Sequence, residues 1–90
     1  MDKKEIKLKV AEVLAIMSSY SQERIVELID YSESSNLQLI SLLSASNKDT
    51  LAFKLCQVFS RLNQKELYDA LFNSVKTAEK LIEIIYEKYA

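Results

Sequence analysis

The chain contains neither glycine nor proline. Tight β-turns draw on glycine for backbone angles with positive φ, and helix interiors exclude proline. A β-rich fold would have to make every turn without its preferred residues. Ninety residues of this kind read as one all-α domain, 1–90, with serine- and asparagine-rich connections. The expected architecture is a compact bundle of five helices, or six, with a long helix at the C-terminus.

The apolar spacing places the helices. Asp2-Lys3-Lys4-Glu5 has the form of a capping box, and Ile6, Val10, Val13, Leu14, Met17 and Tyr20 follow as one stripe, predicting a helix over about 3–18. Ser18 to Ser21 compete with helix through their hydroxyls, and Ser19-x-x-Gln22 resembles a second box. A helix over about 21–32 turns Ile25, Val26, Leu28 and Ile29 inward, and Ser32 to Asn36 break it. Leu37, Leu39, Ile40, Leu42 and Leu43 wrap nearly the whole circumference of a helix over about 36–45, which suits a core or an interface.

Ser46-x-x-Asp49 then starts a helix over about 48–62, with Leu51, Leu55, Val58, Phe59 and Leu62 as its stripe. Asn63-Gln64-Lys65-Glu66 breaks and caps again. Beyond it Leu67, Leu71, Val75, Ala78, Ile82, Ile85 and Tyr89 step by three or four. They predict one long helix over about 64–88, with Asn73-Ser74 as the point where a kink would divide it.

A few bulky residues miss these stripes. Leu8 and Phe53 lie opposite the stripes of their helices, and Ile84 lies outside the arc of Leu81, Ile82 and Ile85. Leu39 and Leu42 cannot both face the core that takes Leu37 and Ile40. Single exposed apolar residues are ordinary on soluble proteins, whereas a large contiguous patch marks a binding surface. A domain this size buries only about two-thirds of the surface of its unfolded chain. Its stability margin is small, and a partner covering apolar surface would add to it. The expected partner surface is therefore Leu8, Leu39, Leu42, Phe53 and Ile84, docking another protein or a second copy.

The chemistry of enzymes is thinly represented. Histidine is absent, which removes the usual general base and imidazole ligand. Glycine loops for phosphate cannot form. The single cysteine, Cys56, excludes an internal disulfide and multi-cysteine zinc, suits a reducing compartment, and reads as a small buried hydrophobe. Glu23, Glu27 and Asp30 form one carboxylate row, and Glu79, Glu83 and Glu87 another. Both read as solvated helix faces, with Lys76 and Lys80 interleaving the second. No catalytic residue, metal or cofactor is expected.

The longest uncharged run, Ser34 to Asn47, is well short of the roughly 20 residues of a membrane span. No membrane association or small-molecule substrate is expected, and the cytoplasm is the expected location. Net charge is −1, so no global field attracts nucleic acid. A local row does stand out: Lys54, Arg61 and Lys65 align on a continued helical face and would contact phosphate or an acidic partner. The sequence thus points first to a non-catalytic helical interaction module, an accessory or adaptor subunit. An accessory subunit of a nucleic-acid-processing assembly and a homodimeric structural protein are the alternatives.

Overall fold

The computed structural model describes residues 2–31 and 43–89. Among them the chain forms five helices and no strand: α1 (Lys3–Met17), α2 (Gln22–Tyr31), α3 (Ala45–Val58), α4 (Gln64–Asn73) and α5 (Ala78–Tyr89). The predicted helix over 36–45 lies almost wholly outside the described residues. Its last part, Leu43 and Ser44, is a non-helical lead into α3, with Leu43 half-buried against the core.

The helix ends follow from the missing glycine. No described residue has positive φ. Helices commonly end in a left-handed residue, usually glycine. Here α1 and α3 stop on extended residues instead, Ser18 at φ −134° and Phe59 at φ −115°. Side-chain oxygens cap the starts. Asp2 accepts from the Glu5 N–H at 2.9 Å, Ser21 from Arg24 at 3.1 Å, Asn63 from Glu66 at 3.0 Å and Thr77 from Lys80 at 3.1 Å. Two predicted boxes give way to neighbours. Ser21 caps α2 in place of Ser19, and Ser44 caps α3 in place of Ser46, accepting from the Asn47 N–H at 3.4 Å. In a serine-rich stretch several hydroxyls offer the same bond, and the tertiary position of the helix selects one.

Helix α1 packs against α2, α3 and α5, and α4 packs on α3. Three neighbours require a wide buried arc on α1. Ile6, Val10, Val13 and Leu14 supply the expected stripe, and Ala11 widens it. Tyr20 is not part of it: α1 has ended by then, and the ring is exposed. On α3, Leu51, Ala52 and Leu55 are buried, together with Lys48, while Val58 is exposed rather than in the stripe. Phe59 is fully buried although it follows the helix as its C-cap, its N–H donating to the Leu55 carbonyl at 2.7 Å.

The long C-terminal helix is the main correction. Leu67, Leu71, Val75, Ala78, Ile82 and Ile85 are all buried, as the spacing required. The backbone nevertheless leaves the helix at Ser74 and re-enters it at Ala78, so the kink divides the segment into α4 and α5. A straight helix over 64–88 would be about 37 Å long at roughly 1.5 Å per residue. The longest dimension of the described molecule is 29 Å. Only a break returns the second half to α1.

Candidate functional site

The break at 74–77 also leaves a largely apolar recess on the surface. Helix α4 is committed to α3 and α5 to α1, so the two diverge from their connection. Between them lies a cleft of about 200 Å³, lined by Leu62, Asn63, Glu66, Leu67, Ala70, Ile84 and Lys88. Local sequence builds its first wall. Leu62 precedes the cap Asn63, and Leu67 lies four residues past that cap, the spacing of a hydrophobic staple. Ala70, one turn on, leaves the floor low. Ile84 forms the opposite wall, half-buried and packed against the core. Glu66 and Lys88 face each other across the rim, 3.7 Å apart and both exposed. An exposed pair of this kind is worth at most about 1 kcal/mol, so it opens readily to another charge.

Ile84 alone among the sequence-predicted partner residues lines this cleft. Leu8 is exposed on α1, and Phe53, 49% exposed, lies on the outer side of α3. Neither borders the cleft. Leu39 and Leu42 lie outside the described residues. Of the other lining residues, the sequence places Leu62 and Leu67 in core stripes and Asn63 to Glu66 in a capped break, and the staple spacing of Leu62, Asn63 and Leu67 is their one local sign of a shared wall. Ile16, at 65% exposure, and Phe72, at 48%, are further large apolar residues on the surface.

The basic row does not survive as a helical row. Lys54 is on α3, Arg61 is in the turn after it, and Lys65 is in the first turn of α4. Their alignment required the helix to run on past Phe59, where it ends. Glu27, Asp30 and Glu83 of the carboxylate rows are paired with lysine or arginine at the surface. Lys7 bridges α1 to Asp30 on α2 at 2.6 Å, Arg24 pairs with Glu27 at 3.1 Å, and Lys80 with Glu83 at 3.8 Å. Among the described residues no three carboxylates or thiols converge on a point that would hold a metal ion. No described helix is long and apolar enough to cross a membrane.

Cys56 is half-buried on α3 against the core. Burial pushes its thiol pKa up, because the thiolate loses solvation there. Ionisation is thus harder in the folded protein than in the unfolded chain. The stability contributed by the neutral thiol is present below the ordinary thiol value of about 8.5 and is lost as pH rises through the higher folded value. Ellman's reagent at mildly alkaline pH should react more slowly with the folded protein than with the denatured one. Cys56→Ser should remove this part of the alkaline loss of stability. Equal reaction rates in the two states would contradict the assignment. Comparison with protein-family models, curated proteins and solved structures found no match to this chain.

Proposed function

We propose that the protein is a non-catalytic helical interaction module, an accessory subunit that receives an amphipathic helix of a partner protein in the α4–α5 cleft. The cleft carries this reading: its walls are aliphatic, its mouth is open, and its rim holds one carboxylate and one ammonium. Such a groove suits a partner that inserts one large apolar side chain and presents charges of both signs on either side of it. Burying that side chain is worth about 1.5–3 kcal/mol, enough to anchor a contact whose remaining surface is polar. Leu8 and Phe53 are exposed apolar positions outside the lining and serve as comparisons.

Ala70→Arg fills the floor of the cleft from a position that already borders solvent. Tagged protein expressed in its own cells, purified and read by mass spectrometry, should carry a stoichiometric protein partner. Ala70→Arg should lose that partner by tenfold or more with little change in melting temperature, whereas Leu8→Ser should keep it. Retention by Ala70→Arg would reject the cleft. A solution mass of twice the monomer, reduced by Ala70→Arg, would identify the occupant as a second copy.

A further inference from the structure

A second surface, on the α3 side of α4, has a different chemistry. Lys65, Tyr68 and Phe72 are spaced by three and four on α4 and share one face. Lys76 extends the line from the connection, its ammonium donating to the Phe72 carbonyl at 3.4 Å. The Tyr68 and Phe72 rings are 6.1 Å apart with their planes tilted by 31°. Lys48 reaches in from α3, only 8% exposed, with its ammonium 5.3 Å from the centre of the Phe72 ring. At the other end Lys65 and Tyr68 line a shallow recess with Asp49 and Gln64. The result is two neighbouring aromatic rings with a lysine at each end and a third held against Phe72.

We infer that this face binds single-stranded nucleic acid, with bases stacked on Phe72 and Tyr68 and phosphates held by Lys65 and Lys76. Three features match that ligand. Phe72 is half-exposed, as a stacking platform must be. The ammonium groups are spread along the line of the rings, where a strand passing over them would present its phosphates. The buried Lys48 holds its ammonium 5.3 Å from the centre of the Phe72 ring, a cation–π contact that steadies the ring. Asp49, which lines the recess with Lys65, and Asp69, one turn from Lys65 on α4, are the acidic neighbours, so phosphate is held there only through the lysine ammonium groups. A duplex hides the base faces the rings need, and an acidic peptide has no flat bases to stack. Stacking on an aromatic side chain is worth about 1–3 kcal/mol per base and is tolerant of sequence.

The test is fluorescence anisotropy of a short labelled oligothymidylate at low and moderate salt, with a duplex of the same length and a polyglutamate peptide as competitors. The oligothymidylate should bind, and its affinity should fall with salt by roughly 0.7 log units per log unit for each phosphate neutralised. Phe72→Leu should weaken binding about tenfold, the effect of losing one stacked base. Lys65→Gln and Lys76→Gln should each flatten the salt dependence, while Lys54→Gln, outside the face, should leave it alone. Because Lys65 is exposed, its variant remains informative if Phe72→Leu unfolds. Absence of binding at low salt would overturn the proposal, as would equal competition by duplex or polyglutamate, or unchanged affinity and salt slope in these variants.

Discussion

Phe59→Ala should remove a large part of the protein's stability and lower its melting temperature sharply. Phe59 heads the largest fully buried side chains, and its environment is built from separate parts of the chain. Truncating a buried phenylalanine to alanine costs about 3–5 kcal/mol, from lost transfer free energy and the cavity left behind. A domain of this length has a total margin of about 5–13 kcal/mol. For small domains each kcal/mol shifts the melting temperature by about 4–8 °C, so a fall of about 12–40 °C is expected in thermal unfolding followed by circular dichroism. Phe53→Ala provides the contrast. Its ring is already half in water, and the change should stay within about 0.5 kcal/mol. Similar melting temperatures for the two variants would show that Phe59 is not a core residue.

Val75→Asp should be of similar severity. Val75 is fully buried, yet it belongs to the connection between α4 and α5 rather than to a helix. Its N–H donates to the Ala70 carbonyl at 2.7 Å, which ties the connection back to α4. A carboxylate at this position would be buried without a partner, at a cost of several kcal/mol. Val75→Ala removes only apolar volume and should cost about 1–2.5 kcal/mol. Ser74→Ala, on the exposed neighbour, should cost under about 1 kcal/mol. Urea titration would order the three. If Val75→Asp proved as mild as Ser74→Ala, the connection would be a surface linker and the account of the break would fail.

Rotation around a helix identifies which side of each helix is greasy, and it did so for most stripe residues, with Val58 at the end of α3 an exposed exception. Ile6, Val10, Leu14, Leu51, Leu55, Leu71 and Ile85 are all buried. It also marked Leu8 and Phe53 as outward-facing, and both are exposed. It did not reveal which helices meet. The α4–α5 cleft depends on two elements diverging toward different neighbours, and that relation has no signature at helical spacing. Ile84 was visible as a misfit, but Ala70 and Leu67 gained their place in the cleft only when α5 was placed opposite them. The basic row does not lie on one helix for a related reason. Lys54, Arg61 and Lys65 align only on a helix that continues through a fully buried Phe59, and the chain turns there instead.

The absence of glycine and proline, together with the apolar periodicity, was sufficient to set the helical class, the caps Asp2 and Asn63 and nearly all of the core. These properties act over a turn or two of backbone and are written in neighbouring residues. The break at Ser74–Thr77 was legible only as an option. Serine, valine, lysine and threonine differ in helix propensity by a few tenths of a kcal/mol, too little to end a helix unaided. Packing decided it. A continuous rod of about 37 Å would leave Ile82 and Ile85 in water beyond a molecule 29 Å long. Folding α5 back onto α1 buries them, and that gain outweighs the backbone hydrogen bonds given up at the turn.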